Sequence, residues 1–104
     1  MTITSVYAVF ANADEAERIG RRCVEERLAA CVNILGAIRS IYRWKGAIES
    51  ADEVAAIFKT TEHLADALIA RIGGLHSYEV PCVVSWPVEK ILRPYGRWVE
   101  DSVG

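Results

Sequence analysis

Three side chains able to hold a metal fall three residues apart: His76, Glu79 and Cys82. Imidazole, carboxylate and thiolate suit Cu(I), Cu(II) or Zn(II), and a loop leading into a strand would let them converge. The structural alternative is a loop histidine capping backbone groups and a thiol in the core. A second group sits at Lys59, beside Thr60 and Thr61, where a helix is expected to begin. A lysine at a helix N-terminus can hold an anion; it can equally pair with a carboxylate such as Glu53. Catalysis has less to draw on. His63 and His76 are the two histidines, and His63 falls in the first turn of a helix, exposed. No nucleophile elbow, triad order or glycine-rich phosphate loop is found. The reading is of a binding protein, not an enzyme. No cofactor is required; copper or another divalent metal ion is the one the sequence suggests.

The stretch Cys31–Thr61 must position these groups. It reads as two β arms folding back at Trp44-Lys45-Gly46, rich in the Ile, Val, Tyr and Trp that suit a pleated sheet. Val32, Ile34, Ile38, Tyr42 and Trp44 alternate with Asn33, Arg39, Arg43 and Lys45, so the even positions are expected to form one apolar face. An arm of about 14 residues spans about 45 Å. A globule of this chain length is about 33 Å across. The ribbon therefore overhangs its own domain and presents Ile41, Tyr42 and Trp44 at its tip, which invites other copies of the chain. The alternatives are a bend or bulge at Gly36, or a break at Ser50-Ala51-Asp52, within a polar stretch from Glu49 to Glu53 that is itself open to a bulge.

The 104 residues suit one domain, 1–104, and a hydrophobic fraction of 52% supplies a core. A net charge of −2 with no basic stripe argues against nucleic acid. The first ten residues lack the marks of a secretory signal, and no apolar run reaches the ~20 residues of a membrane span. The expected setting is the cytoplasm, with no membrane partner. Cys23, Cys31 and Cys82 are odd in number and widely spaced, which predicts three buried, reduced thiols.

In chain order, Ser5–Ala11 reads as a central strand. Asn12 and Glu15 have capping-box spacing, and helix one is expected to run to about Leu28. After the ribbon, Thr60 or Thr61 caps helix two, which should stop at Gly73-Gly74. Val80–Val88 reads as a strand with Pro81 and Pro87 at its ends or on an edge. Pro94 opens a short last helix with Tyr95, Trp98 and Val99 on its apolar side. The class is α+β: a ferredoxin-like βαββαβ sandwich with a long β2–β3 hairpin and a short C-terminal helix. Both main helices fall on one face of a four-stranded antiparallel sheet, leaving the other face bare.

Four segments, Glu26–Asn33, Ile41–Gly46, Ile57–Thr61 and His76–Pro81, resemble the CutA divalent-cation tolerance family, with matching order over about Val6–Trp98. The resemblance implies a very stable homotrimer, built like PII signalling proteins, with sheets facing inward and hairpins exchanging edges. It implies a role in tolerance of copper and other divalent metals, and no established catalytic activity. In copper-binding members the suspected ligands are a cysteine just before the first loop and a His-His pair before the Tyr-x-x-Pro segment. Here Phe10 and Leu75 replace the cysteine and the first histidine, and His76 alone matches. Cys31, Trp44, Lys59 and Tyr78 belong to the matching motifs and would line clefts between subunits of a trimer. Such clefts suit either a small anion, in a PII-like sensor, or simple interface packing by Trp44 and Tyr78. A trimeric scaffold for another protein is a further reading.

Overall fold

The computed structural model describes residues 2–104. Its elements are β1 (Ile3–Phe10), α1 (Ala13–Glu25), β2 (Cys31–Trp44), β3 (Ala47–Thr61), α2 (Glu62–Leu75), β4 (Val83–Val88) and α3 (Arg93–Ser102). The strands form one antiparallel sheet in the order β2-β3-β1-β4. This is the ferredoxin-like arrangement anticipated from the sequence. The almost wholly apolar β1 lies at the centre, where both its edges are paired.

The helix-side face of the sheet is the core. Val6, Ala8 and Phe10 of β1 and Val54, Ala56 and Phe58 of β3 pack on Ala16, Ile19 and Cys23 of α1 and Leu68 and Ile72 of α2. Each large side chain buried there contributes about 1.5–3 kcal/mol of transfer free energy. Asn12 caps α1 as its position predicts, its Oδ1 accepting from the Glu15 backbone N–H at 2.8 Å. Helix α1 ends at Glu25, earlier than Leu28, because Arg27 turns to a positive φ of 60°. The Arg27 guanidinium then donates to the carbonyls of Gly104 and Asp101 at 2.9 and 3.1 Å. Helix α2 does not stop at Gly73-Gly74 but runs through both to Leu75. Thr61 holds its N-cap position by backbone only, while the Thr60 hydroxyl donates to the Leu28 carbonyl at 2.7 Å.

The ribbon turns at Lys45 and Gly46, both at positive φ (50° and 83°), a pair that matches the right-handed twist of the arms. No break occurs between Ser50 and Asp52: pairing runs unbroken from Ile38↔Glu53 to Trp44↔Ala47. A bulge does occur between Ile34 and Gly36, where Gly36 has φ 109°. Its consequence is geometric. Val32 and Ile34 pair with Phe58 and Ala56, on the core face, whereas Ile38 and Tyr42 pair with Glu53 and Glu49, on the other face. The single apolar face expected of the even positions is thus split in two.

Beyond β1, the arms Ile38–Trp44 and Ala47–Glu53 pair only with each other. The molecule is accordingly elongated, 45 × 26 × 22 Å. The far side of the sheet is not wholly bare. Helix α3 covers one end, where Val99 packs on Ile3 and Ala30 with Val88 and Tyr95 alongside. The rest of that face exposes Val84 and Trp86, nearly half accessible.

Candidate functional site

The uncovered end of the far face holds a pocket of about 740 Å³. Its floor is Tyr7 and Val9 of β1. One wall is the ribbon, through Ile38, Ser40, Tyr42, Trp44, Glu49 and Glu53. The other wall is the loop from α2 to β4, through Ser77, Tyr78, Glu79, Val80 and Cys82. The Gly36 bulge is what turns Tyr42 and Trp44 into this pocket. Three carboxylates line it, and no lysine, arginine or histidine does.

Two hydrogen-bond systems hold the loop wall. Glu15, in the first turn of α1 and only 5% exposed, accepts the Ala11 and Ser77 backbone N–H groups at 3.0 and 2.9 Å. Burial raises its pKa, but the Ser77 and Ala11 hydrogen bonds outweigh that and leave it lowered. The His76 ring is fully buried, stacked on Phe10 with centroids 5.2 Å apart. Its Nε2 lies 2.8 Å from the Val9 carbonyl oxygen, and its Nδ1 accepts the Tyr78 backbone N–H at 3.0 Å. That pattern places the ring proton on Nε2. The second system joins loop to ribbon: the Tyr78 hydroxyl donates to Glu53 Oε2 at 2.7 Å. Burial, followed by this bond and the surrounding carboxylates, pushes Tyr78 up to about 12.

The structure therefore sorts the residues singled out in the sequence. Trp44, Tyr78, Glu79 and Cys82 meet in the pocket. Both His76 nitrogens are engaged by backbone, the alternative anticipated for it. Cys82 is exposed rather than a core thiol, because it lies opposite Val9, whose backbone N–H donates to its carbonyl at 3.2 Å, on the far face that the helices do not cover. Cys23 alone is fully buried, and burial raises it to about 11; Cys31 is half-buried. No group of three His, Cys, Asp or Glu side chains able to hold a metal occurs among the described residues. Lys59 and Cys31 are register partners at the opposite end of the far face, near α3, where Cys31 Sγ lies 3.5 Å from the Tyr95 hydroxyl. Lys59 does not pair with Glu53, whose carboxylate is taken by Tyr78. His63 is exposed, as expected. Tyr7 and Glu49 were not foreseen, and Tyr42 was expected at the ribbon tip rather than in a pocket wall; the readable signal for Glu49 was its standing opposite Tyr42 across the Lys45-Gly46 turn.

The family profile described as CutA1 divalent ion tolerance protein matches residues 4–102. The chain belongs to this CutA1 family. It is similar to the divalent-cation tolerance protein CutA of Thermotoga maritima, 45% identical over 94% of this chain and 96% of that one. It is 42% identical to human Protein CutA, over 96% of this chain but 56% of the human one. Among solved structures, CutA1 from Oryza sativa superimposes with a TM-score of 0.96 at 34% identity, covering 100% of this chain and 95% of that one. The periplasmic divalent cation tolerance protein CutA from Archaeoglobus fulgidus gives 0.94 at 36% identity, covering 98% and 99%. The long β2–β3 ribbon is thus a feature of a CutA1 fold. No helix among the described residues is long and apolar enough to cross a membrane.

Proposed function

We propose that this CutA1-family chain works as a non-enzymatic homotrimer in divalent metal tolerance, copper included, binding metal weakly. The observation that carries self-association is the ribbon. Its outer arms pair only with each other, yet expose Ile41 and Ile48 on one face and Tyr42 and Trp44 on the other. A lone small protein rarely leaves such a surface uncovered, and neighbouring copies of the same ribbon are the natural cover. The family name supports the tolerance role. The proposed setting is the cytoplasm.

For the metal, Cys82 and Glu79 open on the pocket and supply a soft and a hard donor, and a neighbouring copy would complete the set. His76 serves by holding the loop that carries both. The alternative of a small anion draws little support: the pocket is lined by carboxylates, and Lys59 stands outside it. Titration calorimetry with Cu(II) and Zn(II) tests the assignment. Wild type should bind, and Cys82→Ser should weaken Cu binding at least tenfold. Unchanged binding in that variant would remove Cys82, and an absence of heat for both metals would remove the metal role.

A further inference from the structure

His76 is shut inside its own chain. Its side chain has no exposure, and the Phe10 ring stacks on it. Cover of the far face by other copies therefore leaves its surroundings as they are. The neutral ring has one donor and one acceptor, and both are spent on backbone: Nε2–H on the Val9 carbonyl at 2.8 Å, Nδ1 on the Tyr78 N–H at 3.0 Å. The second bond is conditional, because Nδ1 accepts only while it carries no proton. A ring protonated there has two donors. Its Nδ1–H then faces the Tyr78 N–H, donor against donor, and no acceptor is bonded to Nδ1 among the described residues.

The groups around the ring decide which partner gives way. From α1, the Glu15 carboxylate stands 3.9 Å from Nε2, with the exposed Arg18 guanidinium 4.0 Å from Glu15. From β1 come the Val9 carbonyl and the Phe10 ring, neither of which titrates. Helix α2 ends in Gly73, Gly74 and Leu75, which carry no charge. In the loop, the Tyr78 ring lies 4.8 Å from His76, and its hydroxyl is bonded to Glu53 of β3. A positive ring is held in place by Glu15 and the Val9 carbonyl. What yields is the Tyr78 N–H, which sits on an irregular loop between α2 and β4. Ser77 and Cys82 are tied to Glu15 and Val9, so the stretch that moves is residues 78–81.

We propose that His76 is an acid-operated latch: a second ring proton, at Nδ1, expels the Tyr78 N–H, releases residues 78–81 and draws the Tyr78 hydroxyl away from Glu53. The device is internal to each chain and rests neither on the metal reading nor on the homotrimer.

The test is nuclear magnetic resonance of the native protein at falling pH, with a chelator present so that no metal contributes. Proton–nitrogen correlation spectra read the protons on the two ring nitrogens of His76. Hydrogen exchange, corrected for the intrinsic rate at each pH, reads the Tyr78 amide. At alkaline pH the ring should carry its proton on Nε2 alone, with the Tyr78 amide protected. As Nδ1 takes its proton, protection at Tyr78 should fall at least tenfold with the same midpoint, while the β1 amides keep theirs. His76→Gln, neutral at every pH, should show no such fall. Glu15→Gln leaves His76 to titrate, and the fall should persist there, which separates the latch from protonation of Glu15 itself. A ring that stays neutral until the β1 amides lose protection, Tyr78 protection that outlasts the Nδ1 proton, an equal fall in His76→Gln, or its absence in Glu15→Gln would each overturn the proposal. If His76→Gln does not fold, the coincidence of ring and amide midpoints in wild type decides the matter alone.

Discussion

The hydroxyl of Tyr78 donates to Oε2 of Glu53 at 2.7 Å, and this one bond ties the loop after α2 to the inner end of the ribbon. Removing it should loosen the pocket wall. Tyr78→Phe would leave a carboxylate oxygen on a residue that is 8% exposed without its donor. A bond to a charged group is worth about 1.5–3 kcal/mol, and Tyr78 is itself partly exposed, so a loss of about 1–2 kcal/mol in urea unfolding is expected.

The same bond predicts an alkaline limit. The folded pKa of Tyr78 lies at about 12, above its ordinary 10.0. A raised folded value favours the neutral form, so this contribution is complete below pH 10 and is lost as pH rises through about 12. Urea midpoints measured across that window should fall more steeply for wild type than for Tyr78→Phe. Parallel curves would contradict the assignment.

Glu15 sets an acid limit in the opposite sense. Its folded pKa is lowered from the ordinary 4.5, so its contribution is present above that value and is lost as pH falls through the depressed one. Glu15→Gln should flatten the acid side of the stability profile. Glu15→Ala also orphans the Ala11 and Ser77 N–H groups and should cost about 2–3 kcal/mol at neutral pH, seen as a lower urea midpoint.

Gly20 tests the packing of α1 on β2. A Cβ there would meet Val32 Cγ1 at 2.8 Å. Val32 is β-branched and stiff, so it yields poorly. Overpacking of about 1–3 kcal/mol exceeds the helix-propensity gain of about 1 kcal/mol, so Gly20→Ala should destabilise. Adding Val32→Ala should recover part of the loss in a double-mutant cycle.

These positions also show what a sequence alone conveys. Local chemistry was legible. Asn12 caps α1, Lys45-Gly46 makes the turn, and Pro94 opens α3, because each depends on residues within one turn of itself. Long-range consequences were not. The even-numbered apolar face failed because one bulged residue near Gly36, the alternative the sequence itself offered, reverses every later side chain, a shift that a strict period of two does not count. The glycine stop failed because α2 is held by Leu68 and Ile72 in the core, which outweighs the weak propensity of Gly73 and Gly74. The metal trio failed to gather because His76 is claimed by Val9, a partner 67 residues away in the chain. Trp44 and Tyr78 were found through family likeness, whereas Glu53 emerged as a pocket residue only from its bond to Tyr78.

Everything proposed for function depends on a ribbon completed by other copies of the chain. Sedimentation equilibrium over a wide range of protein concentration tests this most directly. The account predicts a single species at three times the 11.5 kDa chain mass, persisting on dilution. A well-folded species at one chain mass would contradict it.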